Sequence, residues 1–358
     1  MDKKTIQDQK ANPEAAKARI FHLNPNVQKM HIELFSLELI RENGHLRPYW
    51  KIETTDDDGL MWKFLFEKSG HLTAVEKIGS EFYSAVEASI YPLGIKRSTL
   101  TDVSLPNLSF GQDMVSNLIK VMSDSDTHIT VSGEPLRFAP ADERFEEVQA
   151  YWFIQQALNW FATLGIKSSQ TLEARLHVGF PKKTNTAFYY NGKIRLGSGD
   201  DRIYTRMALD PSVVTHETSH SIIDQLSHLA TQDEGGSLNE GYADFFTAVA
   251  LGNPKIGDVA YMKGPFRRQV DGLRKLSEKQ GDLYGDSGII SNLLWQATQS
   301  LAPGMGLKLA LATLEQLGPA SDFADFRKQL LIQIPRILDP ADQLKMFGLL
   351  TDRGWPVD

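Results

Sequence analysis

One short segment constrains this chain more than any other: His216-Glu217-Thr218-Ser219-His220, followed 19 residues later by Asn239-Glu240-Gly241-Tyr242-Ala243-Asp244. Residues four apart lie on one face of a helix, so His216 and His220 are spaced to bind one metal ion. Glu240 offers a third ligand from a second helix. Two imidazoles, one carboxylate and a water are typical of a catalytic zinc site, in which one coordination position stays open.

Two more carboxylates fit the same site. Glu217 follows His216 directly and is predicted to lie beside the open position, where it can accept a proton from water. Asp244 lies one turn after Glu240 and is predicted to accept the second N–H of a ligand imidazole, which fixes the tautomer of that ring. A HExxH string alone also occurs by chance on a solvated helix. Here its spacing to the second motif favours zinc-assisted hydrolysis of an amide.

The bulk composition excludes several other classes of function. The chain has no Cys, which rules out disulfides, thiolate zinc sites and a Cys nucleophile. Its net charge of -7 is spread without a basic block, so nucleic acid is not expected as a partner. No run approaches the ~20 apolar residues of a transmembrane helix, so we expect no membrane span. Residues 1–26 are polar, and no export signal is expected in the chain as given.

The pattern along the chain predicts an α+β fold in several parts, as its length of 358 residues allows. A small antiparallel-sheet domain precedes a mixed, β-rich lobe with the HExxH helix, and a mostly helical lobe follows. The predicted regions are a polar lead-in (1–28), a small α+β domain (29–82), an irregular β-rich segment (83–141), the HExxH lobe (142–232) and a helical lobe with the third zinc ligand (233–358).

Alternating apolar residues predict four strands in the small domain, and Gly, Asn and Asp clusters predict the turns between them. The strands are Leu34–Arg41, Arg47–Thr54, Leu60–Glu67 and His71–Lys77, and the turns are Asn43-Gly44, Asp56-Asp57-Asp58-Gly59 and Ser69-Gly70. Farther on, two more strands are predicted at Leu176–Gly179 and Lys193–Leu196.

Capping chemistry predicts the two motif helices. Asp210 is expected to cap the first helix, and Pro211 suits its first position. Gly235-Gly236 is expected to break the chain before the second helix, which Gly252 ends. Beyond Pro211 the chain is predicted to be almost entirely helical.

The two motifs together resemble the gluzincin metallopeptidases, specifically their thermolysin-like and fungalysin-like members. The resemblance covers roughly residues 145–350 and reaches Asn185-Thr186-Ala187-Phe188-Tyr189, which is similar to the family's substrate-binding edge strand. It implies that Asn185, Thr186 and Ala187 pair with an extended peptide by strand addition. An ordinary hairpin edge with no substrate role is the alternative interpretation of the same residues.

The resemblance also implies one catalytic zinc, a peptide or protein substrate, and a secreted or periplasmic location, and the lack of an export signal keeps a cytoplasmic location open as the alternative. The small N-terminal sheet is similar to the propeptide domains that precede such enzymes.

Two departures from the family pattern concern the chemistry. Where the family has an oxyanion-binding His this chain has Tyr284, whose phenol is also a hydrogen-bond donor. Where the family has a Tyr this chain has Thr231, whose hydroxyl reaches less far.

Two other family features are only partly present. The arginine that contacts the substrate carbonyl corresponds to Arg267, Arg268 or Arg274, and each of these is also compatible with a surface arginine. Carboxylates of the family's paired calcium site are replaced by Ser212 and Leu251, so no calcium is expected there.

Alternative functions therefore stay open. The first is a zinc-dependent endopeptidase with Glu217 as general base and Tyr284 as a stabiliser of the oxyanion. The second is a zinc-binding but catalytically weak or inactive homologue that binds peptides or a partner protein. A purely structural helical domain with an accidental HExxH is the third.

Overall fold

The computed structural model describes residues 13–28, 31–42, 45–55, 61–77, 84–109, 113–132 and 134–358. The chain divides into two compact units, of which the first comprises residues 1–84 with 106–110 and the second residues 85–105 with 111–358. The turns predicted at Asn43-Gly44 and at Asp56 to Gly59 lie outside the described residues.

The first unit combines two helices with an antiparallel sheet in which consecutive strands pair. Its elements are α1 (Pro13–Leu23), α2 (Pro25–Gln28), β1 (His31–Glu42), β2 (His45–Thr55), β3 (Met61–Phe66) and β4 (Leu72–Lys77). The predicted strands are confirmed, with bounds that differ by a few residues. Alternate residues share a face of a strand, and on β2 Trp50 and Ile52 form a core with Ile20 of α1 and with Phe64 and Phe66.

The second unit begins with β strands. Most of a two-stranded sheet belongs to it, made of β5 (Ser84–Ile90) and β6 (Thr101–Leu108). A five-stranded sheet has the order β10-β11-β9-β8-β7. Its strands are β7 (Met114–Val115), β8 (Ile119–Ser123), β9 (Leu172–Leu176), β10 (Ala187–Tyr190) and β11 (Lys193–Leu196). β10 is antiparallel to β11 and lies at the edge of this sheet.

The strand predicted at Leu176–Gly179 is wrong, because β9 ends where that prediction begins. His177 has φ 55° and Gly179 has φ 97°. Both angles lie outside the extended region, so the ladder cannot continue. The strand predicted at Lys193–Leu196 is confirmed as β11.

Seven helices longer than a single turn lie in the described part of the second unit. They are α3 (Glu143–Thr163), α4 (Pro211–Ser227), α5 (Asp233–Leu251), α6 (Leu283–Ser300), α7 (Met305–Leu314), α8 (Phe323–Ile337) and α9 (Pro340–Asp352). As predicted, Asp210 caps α4, since its Oδ1 accepts the Ser212 N–H at 2.9 Å. His228, with φ 50°, ends that helix.

Two predictions about the helical half are wrong. Gly235 and Gly236 lie inside the first turn of α5 instead of before it. They are needed for close packing, because a Cβ on Gly236 would lie 2.7 Å from Leu283 Cδ1 and equally close to the Thr231 carbonyl carbon. The chain also leaves the helical pattern between α5 and α6, where β12 (Lys255–Ile256) and β13 (Arg268–Gln269) pair as a short hairpin.

The loop before α6 is held by the end of α9. The Leu276 N–H donates to the Arg353 carbonyl at 2.9 Å. The Arg353 guanidinium, on a residue that is buried, donates back to the Arg274 carbonyl at 3.2 Å. Two residues later, the Trp355 ring packs against Phe323 and Phe326 of α8.

A buried carboxyl on α3 makes stability depend on pH. Glu147 is fully buried, and its Oε2 accepts the Ile129 N–H at 3.3 Å. Its Oε1 has no hydrogen-bond partner among the described residues. Burial raises the pKa of Glu147 from 4.5 to about 7, with a smaller contribution from Asp113. Because the folded pKa is the higher one, the folded state binds more protons, and stability falls as the pH rises from about 4.5 through about 7.

We expect Glu147→Gln to remove this loss. At 1.36 kcal/mol per pKa unit, the variant should gain on the order of 3 kcal/mol over the wild type above pH 8 and little at pH 4.5. Urea unfolding at the two pH values measures the difference. Glu134→Gln, at an exposed position, is the control. An equal stability difference at both pH values would contradict the assignment.

Candidate metal centre and cleft

Helices α4 and α5 bring three possible metal ligands together. His216 and His220 lie one turn apart on α4, and their Nε2 atoms are 3.1 Å apart. Glu240 of α5 reaches both, with Oε2 3.1 Å from His216 Nε2 and Oε1 3.6 Å from His220 Nε2. Ligand bonds of 2.0–2.2 Å in a tetrahedral zinc site place donor atoms about 3.3–3.6 Å apart. The donor set fits one zinc ion, with each spacing inside this range or about 0.2 Å below it.

The far side of each imidazole is also bonded, which leaves the two Nε2 atoms for the metal. His216 Nδ1 lies 2.9 Å from Asp244 Oδ1, and His220 Nδ1 lies 2.7 Å from Asn239 Oδ1. Both partners are acceptors, so each ring carries its proton on Nδ1. Hydrogen bonds of this kind fix the tautomer and orientation of a metal-binding histidine.

Asp244 also connects the ligands to the cleft wall. Its carboxylate accepts two hydrogen bonds from Arg268, at 2.6 Å from Nε and 2.7 Å from Nη2. The Arg268 guanidinium lies over the Tyr284 ring, 5.4 Å from its centre. An unbroken chain of contacts thus runs from His216 to Tyr284.

Glu217 lies beside the three donors in a buried position. Burial raises the pKa of its carboxyl to about 7, and the charge of Glu240 acts in the same direction. A carboxyl whose pKa is close to neutrality can both accept and return a proton, which suits a general base.

The charges around the ligands favour a bound cation. Although burial opposes charge on its ring, Asp244 and Glu240 raise the pKa of His216 to about 10. Burial lowers the pKa of His220 to about 4. Burial also opposes charge on Glu240, but His216 and His220 lower its pKa to about 2. The carboxylates that stabilise a positive imidazolium would equally stabilise a metal ion held by neutral imidazoles.

The donors open into a cleft of about 520 Å³, a volume ordinary for a binding site. Tyr284, half exposed, and Thr231 both line it. Two of the three candidate arginines, Arg267 and Arg268, line it as well. Arg274 is not among the described lining residues and donates instead to the Gly285 carbonyl at 2.7 Å.

The predicted substrate strand lies along the same cleft. Asn185 and Ala187 line it, whereas Thr186 is not among the described lining residues. Asn185 Oδ1 accepts the Asp200 N–H at 2.9 Å and so supports the turn beyond β11. The Thr186 carbonyl accepts the Gly197 N–H at 2.7 Å. Because antiparallel strands alternate the direction of their main-chain groups, those of Ala187 face the open edge of the sheet.

Sequence reasoning missed two contributors to this site. Asn239 was assigned no role, although its place directly before a metal ligand on α5 was a usable signal. Arg268 was considered only for substrate contact, and its ion pair with Asp244 crosses 24 residues of sequence. That pairing depends on the hairpin between α5 and α6, which the helical pattern did not predict.

Ser212 stands where the resemblance would place a calcium-binding carboxylate. Its hydroxyl donates to Asp210 Oδ1 at 2.6 Å. The expected absence of calcium stays a prediction.

Comparison with known proteins agrees with this geometry. The family model for the thermolysin metallopeptidase catalytic domain matches residues 111–224. Among curated relatives, bacillolysin of Brevibacillus brevis is 27% identical over 143 residues, which are 39% of this chain and 26% of the relative. Bacillolysin of Bacillus cereus is 33% identical over 121 residues, 32% of this chain and 20% of the relative. The extracellular elastase of Staphylococcus epidermidis is 34% identical over 62 residues, 17% of this chain and 12% of the relative. The matched part of the chain thus spans 12–26% of the length of these relatives.

A solved structure extends the likeness over more of the chain. The precursor of protealysin, a metalloproteinase from Serratia proteamaculans, superposes with a TM-score of 0.56 at 18% identity, covering 78% of this chain and 89% of that one. At this identity the likeness concerns the fold. No helix among the described residues is long and apolar enough to cross a membrane. The catalytic-domain match and the curated relatives show that part of this chain is similar to thermolysin-type metallopeptidases, and the solved structure shows a similar fold over more of it.

Proposed function

We propose that this protein is a zinc-dependent endopeptidase. The observation that carries the proposal is the convergence of His216, His220 and Glu240 at 3.1–3.6 Å, with the Glu217 carboxyl beside them in an open cleft. A zinc ion held by these side chains would supply a Lewis acid that polarises the scissile carbonyl and acidifies the attacking water.

Glu217 acts as the general base. It is buried, and within the described part of the chain no hydrogen bond occupies its carboxylate. It takes a proton from the attacking water and then returns it to the leaving nitrogen. Burial raises its pKa to about 7, so the carboxyl can take up and release a proton near neutral pH.

Tyr284 stabilises the oxyanion of the tetrahedral intermediate. Its ring lies under Arg268, which Asp244 holds in place, and Tyr284 lines the cleft. Burial and the charge of Glu240 raise the pKa of Tyr284 above its usual 10. The phenol therefore stays protonated, and remains a donor, across the neutral range.

The substrate binds in an extended form along β10. This strand is the free edge of its sheet, and the main-chain groups of Ala187 are directed away from β11. Strand addition there would supply main-chain hydrogen bonds regardless of sequence, with side-chain pockets determining which residues are accepted. The likeness to the extracellular elastase favours a location outside the cytoplasm.

Replacing the general base should abolish turnover but keep the metal. We expect Glu217→Gln to lower kcat by about 10²–10⁴-fold, because glutamine cannot take the proton, and to retain about one zinc per chain. A quenched peptide substrate and metal analysis measure the two quantities. Glu315→Gln, on the exposed end of α7, is the control. Turnover unchanged in zinc-loaded Glu217→Gln would refute the mechanism, and a wild type that holds zinc but cleaves no peptide library would favour the weak-homologue alternative.

Removing the negative charge of Asp244, which lies beside His216 Nδ1, should weaken metal binding. Asp244→Asn keeps the shape of the side chain but loses the charge that His216 and Arg268 both contact. We expect zinc affinity to fall about 10–100-fold, measured by competition with a chelating dye. Asp271→Asn, in a partly exposed ion pair with Lys255, is the matched control. Equal zinc affinity in Asp244→Asn and wild type would exclude this role.

Removing one phenol should lower kcat with little change in KM. For Tyr284→Phe we expect a loss of about 10²–10³-fold, the usual effect of deleting one oxyanion donor, with zinc content unchanged. Tyr190→Phe removes a phenol from the same cleft, on a side chain that is 69% exposed, and should leave kcat nearly unaltered. If the two variants had the same kcat, Tyr284 would not be the donor.

A further inference from the structure

The cleft has opposite charges at its two ends. It follows α4, and both Val213 and Asp224 of that helix line it. These residues are separated by about 16 Å along the helix axis at 1.5 Å per residue. At the far end, the Asp224 carboxylate accepts the Tyr189 hydroxyl at 3.0 Å. At the near end, the segment after β12 packs on the start of α4, where the Gly257 N–H donates to Ser212 Oγ at 2.7 Å.

Arg267 belongs to the near end. Its N–H donates to the Ile256 carbonyl at 2.8 Å. Gly257 permits this approach, because its φ is +75° and a Cβ there would lie 2.9 Å from Arg267 Cβ. The hairpin therefore fixes the Arg267 backbone beside the wall formed by Val213.

The Arg267 side chain is ordered by aromatic contacts. Its guanidinium lies over the Tyr261 ring, 5.6 Å from the centre. The Tyr261 ring packs in turn against the ring of Tyr204, with 5.5 Å between their centres, and Tyr204 lines the cleft. A cation held over a ring loses less freedom when it binds a ligand than a free side chain does.

The charge of Arg267 has no carboxylate partner among the residues that the structure describes. Within the described ranges no ion pair joins it to a carboxylate, whereas the neighbouring Arg268 is bound on two nitrogens by Asp244. The other lining residues at this end are Tyr204, Met207, Val213, Ile256 and Gly257. The near end is thus a largely apolar pocket with one available guanidinium.

Resting on the proposed peptidase function, we propose that Arg267 is a specificity-determining residue that selects a carboxylate on the substrate beside the scissile bond. Val213 precedes Glu217 by one turn, about 6 Å along the helix. A side chain in the near-end pocket therefore belongs to a residue next to the cleaved bond. Its methylenes contact Met207 and Ile256, and its carboxylate pairs with Arg267. The carboxylate is that of a glutamate side chain, and a free C-terminus beside the cleaved bond, as in a carboxypeptidase, is the competing outcome of the test.

The test compares cleavage of peptides that differ at the two positions flanking the scissile bond. Substrates capped at both ends carry Glu, Gln, Leu or Lys there, and a second set has free C-termini. We expect kcat/KM of the wild type to favour Glu over Gln by about 5-fold, the upper range for a partly exposed ion pair, and the preference to shrink with added salt. A preference only for free C-termini would assign the carboxylate to the chain end.

Variants then assign the preference to one side chain. Arg267→Met should abolish it, and Arg267→Glu should turn it towards Lys. Arg202→Met, exposed and outside the described cleft lining, should keep the wild-type preference. Two results would overturn the inference but leave the peptidase function intact. In the first, the wild type cleaves Glu, Gln, free-acid and amidated peptides equally. In the second, the Arg267→Met variant keeps the preference.

Binding separates the inference from the proposed function. Calorimetry with Glu217→Gln measures the affinity for the Glu and Gln peptides without turnover. If the zinc-loaded wild type cleaved nothing, the endopeptidase would be refuted. The carboxylate site would still be supported if Glu217→Gln bound the Glu peptide more tightly and the double variant with Arg267→Met lost this difference. Equal binding of both peptides would refute the site as well.

Discussion

The Asp244 carboxylate is contacted from two directions, and the geometry of the site depends on it. On one side is His216 Nδ1, and on the other is the fork of Arg268. A buried charge is tolerated only when its partners compensate it, and here both do. His216, Arg268 and the ring of Tyr284 therefore behave as one unit, so that a change in one member displaces the others.

That unit forms only because helices approach each other unusually closely. A Cβ on Gly241 would lie 2.8 Å from both Ile290 Cβ and the Ser287 carbonyl oxygen of α6. Glycine at this position lets α5 lie against α6 while Glu240 and Asp244, its neighbours on the helix, face α4. The first turn of α5 follows the same rule at Gly236. The geometry of the candidate metal site thus depends on glycines, which have no functional group in the side chain.

The features that follow from local spacing were predictable from the sequence. The four-residue spacing of His216 and His220, the Asp210 cap and the strands of the N-terminal sheet are determined by nearby residues. Features that depend on tertiary contacts were not predictable. Gly235-Gly236 is a usual breaker of helices, yet packing keeps it helical, and the positive φ of His177 ends β9 early. The pairing of Arg268 with Asp244 required knowledge of a hairpin whose sequence signals are weak.

The contact between Arg353 and the loop before α6 bears on when the site is completed during synthesis. That loop leads into Tyr284, and it is fastened by hydrogen bonds to a residue more than a hundred positions after Glu240. A ribosome adds about 5–20 residues per second. The three candidate metal ligands therefore emerge many seconds before the segment that fastens the Tyr284 side of the cleft. A nascent chain can therefore contain His216, His220 and Glu240 before the Tyr284 wall of the cleft is fastened.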